Sequence, residues 1–374
     1  MLTFSLRLLI FTLFFSGSLF SQANQPSTKK DQSLRYQVHG VKKSSRQTPQ
    51  MYPGSTESES MQGDLNIDRS AEAKVSALLS QRNNFIENDG VITSPEQNLL
   101  NQMSQQLGNA SDESYEAAFA QLKIHRNQMD ADIYLKKAVS LNPSDSRLLL
   151  ESAWIAERMG KMSERNQASK QALNTGLISK VLLKQAEWIS EAARNGGIII
   201  TNGENDTYPF WILENSWNYT VISLQFLNEP QYINSKLKSA GIQATVSANV
   251  SIDEFIQVLK KSELPILLSW SIHPEILKRW SSSLYAIGPA LILSSSNVEN
   301  LDMLKQFYFR KAIFDYLMSD TWVNDSFAAV MANLLPGLNI LIDSELLTEN
   351  ESKKMTQLRT TLSTNLKKAG VHGR

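Results

Sequence analysis

The sequence has no cysteine and only four histidines in 374 residues. A disulfide framework and thiolate chemistry are therefore excluded. The histidines stand at 39, 125, 273 and 372, and no two have metal-ligand spacing, so no metal site is expected. An excess of one charge is also missing, since Lys plus Arg and Asp plus Glu each total 37. Without a basic field to hold a phosphate backbone, nucleic acid is not an expected partner. The sequence lacks a Gly-x-Ser-x-Gly elbow, an HExxH pair, a Walker A loop and a GxGxxG turn. The stretch "NGENDT" lacks the longer acid ladder of an EF-hand calcium loop. No cofactor is expected, and catalysis is open only through carboxylates, with Glu204 and Asp206 as the pair to consider.

Long apolar runs are scarce as well. The first residues, "MLTFSLRLLIFTLFFSGSLFSQANQ", place Arg7 before an apolar run from Leu8 to about Phe15. Gly17 and the triplet Ser21-Gln22-Ala23 follow, which is the layout of a signal peptide over 1–23 cleaved after Ala23. The alternative is an uncleaved anchor, for which the run is short. No other run is long enough to span a membrane, so the expected location is periplasmic or otherwise exported, with no span after cleavage. Residues 24–66 are rich in Ser, Gln, Lys and Glu, and read as a disordered linker.

From 67 the pattern turns helical. "SAEAKVSALLSQRNNFI" gathers apolar residues on one broad face, and "TSPEQNLLNQMSQQLG" offers Ser94 as a cap and Gly108 as a stop. Ala138, Leu141 and Pro143 are then spaced as at the end of a tetratricopeptide repeat. Ala153 and Gly160 fall where that repeat needs small residues, and Ala172 lies one period after Ala138. Small side chains at such positions let two antiparallel helices cross closely. Ala156, Arg165 and Leu177 depart from the pattern, which otherwise prefers Tyr, Ala and Pro. Residues 67–194 are thus expected to form tetratricopeptide-like helical hairpins, a platform for a protein partner.

Past Gly197 the period changes. "GIIITNG", "YTVISLQFLNE", "ATVSANVS", "LPILLSWSIHP" and "ALILSSS" read as strands, separated by helices of about ten residues. That alternation predicts an α/β domain over 195–296 with a parallel sheet. Residues 297–374 return to helix, so the fold class is α/β with α-helical flanks. The carboxyl ends of parallel strands share one edge, where open α/β sheets usually bind ligands. Asn202, Glu204, Asp206 and Thr207 fall on that edge, with Asn228 and Glu229 after the second strand, and Ser271 and His273 after a later one. Trp211 or Trp270 would offer a stacking face. Two readings stay open here. Asp206 or Thr207 is a normal N-cap for a helix with Pro209 in its first turn, and His273 reads as a helix start before Pro274. Alternatively the cluster holds a hydroxyl-rich ligand or a cation.

"TNGENDTYPFWILEN", "VISLQFLNEPQYINSKLK" and "LPILLSWSIHPEIL" together resemble the soluble C-terminal half of Bacteroidetes membrane proteins related to protein O-mannosyltransferases. Those proteins carry a strand followed by Asn-Gly-Asp-Asn-Asp-Thr-[Phe/Tyr]-Pro-x-Trp. Asn202, Gly203, Asn205, Asp206, Thr207, Pro209 and Trp211 match it, Glu204 replaces Asp, and Leu227, Asn228, Tyr232 and Ile233 continue the match. The similarity runs from about 195 onward and does not reach the helical repeats. The membrane half, which holds the catalytic acid and the lipid-linked donor in such transferases, has no counterpart here. The resemblance implies an accessory domain that engages acceptor proteins or glycans. The expectation is an exported, non-catalytic envelope scaffold or accessory factor, the alternatives being a carbohydrate-binding or carbohydrate-processing module and a purely structural domain.

Overall fold

A computed structural model describes residues 65–89, 92–108, 114–247, 250–269, 271–296 and 298–371. The expected signal peptide, nearly all of the expected linker, and Trp270 lie outside the described residues. Among the described residues seven helices come first: α1 (Leu65–Asp89), α2 (Ser94–Gly108), α3 (Tyr115–His125), α4 (Ala131–Leu141), α5 (Arg147–Arg158), α6 (Met162–Asn174) and α7 (Lys180–Ala193). The turn from α5 to α6 is closed by Gly160, whose positive φ of 71° suits a residue without Cβ. Ala138, Ala153 and Ala172 are all fully buried, as the small-residue spacing anticipates. Ahead of α2, Thr93 takes the capping place given above to Ser94. Its N–H and hydroxyl both donate to the Glu96 carboxylate, at 2.8 and 2.7 Å.

A sheet follows. It contains β1 (Asn195–Thr201), β2 (Asn218–Ser223), β3 (Ile266–Ser269), β4 (Leu284–Ala286) and β5 (Ala290–Leu293), in the order β2-β1-β3-β5-β4. Helices α8 (Glu204–Leu213), α9 (Pro230–Ser239), α10 (Ile252–Lys260) and α11 (Pro274–Arg279) connect its strands. The central β1 carries Ile198, Ile199 and Ile200, all fully buried, as a strand covered on both faces requires. Its pairings with β2 and β3 are parallel, whereas β3–β5 and β4–β5 are antiparallel. The sheet is therefore mixed, which corrects the all-parallel expectation. The cause lies in "SSSLYAIGPALIL", where a tight hairpin replaces the helical crossover that a parallel neighbour demands. Gly288 turns that hairpin at φ 107°.

A second correction concerns "ATVSANVS", whose described residues form no strand. The Asn234 side chain of α9 donates to the Val246 carbonyl at 3.0 Å and accepts its N–H at 2.8 Å. The backbone groups a ladder would use are thereby taken. Beyond the sheet, α12 (Asn300–Phe309), α13 (Lys311–Met318), α14 (Leu335–Ile342) and α15 (Glu349–Lys368) complete the chain. Arg310, in extended conformation, divides the single apolar stretch at 301–318 into α12 and α13. The main apolar core is continuous from Leu150 to Leu366, so α5–α7, the sheet and the last helices share one interior. Smaller clusters lie between α3, α4 and α5, and between α1, α2 and α3. Among the described residues no helix is long and apolar enough to cross a membrane.

A Cβ at Gly288 would stand 2.7 Å from the Phe307 ring, and its φ disfavours any L side chain. Gly288→Ala should therefore lower stability by about 1–3 kcal/mol or more, read as a fall in the urea midpoint at unchanged slope.

Candidate functional site

The parallel pairings of β1 with β2 and β3 bring their carboxyl ends to one edge, and the 202–207 loop leaves from the middle of it. There α8 begins earlier than the capping reading requires. Gly203, in extended conformation, is its N-cap, and Asp206 is its third residue. The Asp206 carboxylate reaches back to accept the N–H of Gly203 at 2.9 Å and of Asn202 at 3.2 Å. Pro209 is then well inside the helix rather than in its first turn. The same carboxylate accepts the Ser271 hydroxyl from the loop after β3, and Ser271 lies 3.0 Å from the Ser269 hydroxyl. Burial raises Asp206 above the ordinary carboxylate range, against the lowering effect of these hydrogen bonds. Thr207 is fully buried and shares a 2.7 Å hydrogen bond with Thr201 of β1. Asn202 is buried beside them, and its Oδ1 has no hydrogen-bond partner among the described residues.

Glu204 faces elsewhere. Residues two apart on a helix do not share a face, so Glu204 and Asp206 form no dyad, and the carboxylate-pair expectation loses its geometry. Arg82 of α1 donates to Glu204 at 3.0 Å, Lys123 of α3 at 2.7 Å and Arg126 just after α3 at 2.5 Å. Burial alone would raise the Glu204 carboxyl, but Arg126, Lys123 and Arg82 together hold it well below the ordinary range. Glu151 of α5 accepts from Lys123 at 2.7 Å and from Arg126 at 3.3 Å, so the two acids share these cations. The Arg126 guanidinium also lies 4.3 Å above the Trp154 ring.

Trp211 offers no stacking face. It is 0% exposed, with its ring centroid 5.6 Å from that of Trp154. Trp154 also packs on Phe226 at 4.7 Å, wedging α5 against the turn after β2. Its Nε1 donates to Asn127 Oδ1 at 2.7 Å. Gln225 of the same turn donates to the Asn202 carbonyl at 2.7 Å. A second ionic joint lies behind this one. Fully buried Glu157 accepts from Arg165 at 2.7 Å, Lys236 at 2.5 Å and the Tyr232 hydroxyl at 3.2 Å. Arg165 also bonds Glu214 at 2.6 Å, which gives a physical reason for arginine where the repeat spacing prefers alanine.

Of the residues the sequence nominates, Asn202, Asp206 and Thr207 meet at the strand edge together with Ser271. Glu204 and Trp211 turn into the helical layer. Asn228 is exposed just before α9, and His273 opens α11 through its carbonyl, which accepts from Ile276 and Leu277 at 3.0 and 3.1 Å. Neither joins the Asp206 hydrogen bonds. The partners missed in the sequence are Arg82, Lys123, Arg126 and Glu151. The only local signal was Lys123 and Arg126, two cations on one helix face at three-residue spacing. Among the described residues no group of acids and histidines could hold a metal ion.

Replacing Glu204 by Gln leaves buried Arg126 and Arg82 short of a counter-charge, a loss of about 3 kcal/mol for partners buried this far. The depressed Glu204 carboxyl contributes stability that is complete above the unfolded value near 4.5 and is lost as pH falls through the lower folded value. Thermal unfolding of the wild-type chain should therefore show a steeper acid limb below pH 4.5 than Glu204→Gln. No family model, curated protein or solved structure matches this chain.

Proposed function

We propose that the chain is an exported, non-catalytic scaffold of the cell envelope that binds a protein partner through its tetratricopeptide-like helices. Its α/β half would act as an accessory unit of a protein O-mannosyltransferase-like system, as the "NGENDTYPFW" resemblance implies. The observation that carries this reading is a set of exposed apolar side chains around the α3–α4 turn. Met129 is 90% exposed, Ile133 66% and Met159 48%. Arg158 donates to the Gln128 carbonyl at 2.7 Å and contacts the Met129 sulfur, joining the end of α5 to this turn. Large apolar residues grouped on a surface are typical of contact sites, and methionine adapts to varied partners. The partner chemistry that fits is an apolar ridge, such as the face of an amphipathic helix. The Glu204 geometry supports a non-catalytic role, because one acid of the pair considered for chemistry is neutralised by the chain's own cations.

A second reading rests on the Asp206 cluster. A buried Asn202 Oδ1 with no partner among the described residues, beside a carboxylate already bonded to the exposed Ser271 hydroxyl, suits recognition of a glycan hydroxyl. Asp206→Ala should then abolish glycan-array binding while costing only about 0.5–2 kcal/mol of stability. Loss of stability alone would leave the cluster a structural cap.

For the scaffold reading, the full mature chain and a Met129→Glu/Ile133→Glu variant are compared for cross-linking to envelope proteins. The variant should unfold within about 0.5 kcal/mol of wild type, since both sites are exposed, yet lose the wild-type cross-linked species. An unchanged cross-linking pattern would move the partner surface elsewhere.

A further inference from the structure

Helices α1 and α2 stand apart from the main core. They pack on α3 through a small apolar cluster of Leu78, Leu100, Leu107, Ala117, Ala120 and Ile124. Beside it runs a polar seam whose donors and acceptors follow from one fixed end. The Ile124 carbonyl only accepts, so the Gln97 amide facing it at 3.1 Å is the Nε2 donor. That same Nε2 donates to Asn101 Oδ1 at 2.9 Å, which orients Asn101. Gln128 must then turn its Nε2 to Asn101 Oδ1, at 2.8 Å, and its Oε1 to His125 Nδ1, at 3.0 Å. His125 thus carries its proton on Nδ1. Its bare Nε2 accepts the Ser104 hydroxyl of α2 at 3.1 Å. The neutral ring is locked between α2 and the turn after α3, and it stacks on Tyr134 of α4 with centroids 4.1 Å apart.

We propose that α2 is a detachable cap on the helical layer, and that protonation of His125 releases it, while Arg82 keeps α1 on Glu204. A second proton would fall on Nε2, in a ring that is only 6% exposed and whose hydrogen-bond partners among the described residues are Ser104 and Gln128, neither a carboxylate. From α2 the contact is uncharged Ser104, and from α4 it is Tyr134, with Asp130 at the N-cap the one acid that favours the cation. Arg82 of α1 and Arg158 of α5 are themselves cations, bonded to Glu204 and to the Gln128 carbonyl, and cannot offset a charge of their own sign. Burial depresses the His125 imidazole below its ordinary value, a loss that the Gln128 hydrogen bond and Asp130 offset only in part. A depressed histidine contributes stability that is complete above the unfolded value near 6.5 and is lost as pH falls below it. Release would withdraw Leu100 and Leu107 from the cluster they form with Ala117, Ala120 and Ile124 of α3, leaving Leu78 of α1 in place. Asp206, raised rather than depressed, works in the opposite sense and on α8, so it cannot produce the same local response.

The test is amide hydrogen exchange of the full chain at pH 7.5 and 5.0, corrected for intrinsic rates. Protection of amides at 94–108 should fall at the lower pH, while β1 amides keep theirs. In His125→Gln the pH response at 94–108 should vanish. Equal protection at both pH values, or the same response in the variant, would overturn the proposal. Should the variant fail to fold, the imidazole signal of His125 in the wild-type chain still decides. A midpoint below that of unfolded histidine supports the cap, and a midpoint at or above it refutes it.

Discussion

The three cations on Glu204 govern how the parts of this molecule meet. Arg82, Lys123 and Arg126 come from the N-terminal helices, while Glu204 stands in the first turn of α8, leaving the central strand. Charges this deep are costly to desolvate and hold only where their partners and hydrogen bonds are complete. That requirement fixes the docking angle more strictly than apolar packing alone. The Trp154 ring then fills the space beneath Arg126, against Trp211 and Phe226, and supplies the area that the ionic contact lacks. Glu157, with Arg165 and Lys236, repeats the device six residues after Glu151 on α5.

This arrangement changes what the edge of the sheet is for. In an open α/β sheet the carboxyl ends of the strands are the usual place for a ligand. Here part of that edge meets the chain's own helices through Glu204, and the Asn202 carbonyl is taken by Gln225 of the turn after β2. What is left toward solvent is the Asp206–Ser271 corner. A loop rich in acids thus divides its work: one acid joins two layers and the other ties the loop to its neighbour.

Much of this was legible in the sequence, for definable reasons. The isoleucine run of β1 has no polar face, so only a doubly covered strand suits it, and Ala138, Ala153 and Ala172 announce close helix crossings. The strand polarity was not legible, because "ALIL" is equally apolar in either direction and only the Gly288 hairpin decides it. The role of Glu204 was hidden for another reason. Its partners Lys123 and Arg126 lie about eighty residues away, and nothing local distinguishes a buried cation from a solvated one. Trp211 misled similarly, since an aromatic after a polar loop suits a binding face as well as a core. The position of Asp206 was misjudged by one turn because Gly203, with no side chain to donate or accept, gives no capping signal of its own.

The most direct test of the ionic joint is a double-mutant cycle between Glu204→Gln and Arg126→Met, read by urea unfolding. If the two groups stabilise the interface as a pair, the coupling should fall within about 0.5–3 kcal/mol, toward the upper end for partners buried this deeply. Additive effects, with a coupling near zero, would mean that the helical layer is held by Trp154 and its neighbours alone, and the central role given to Glu204 would be wrong.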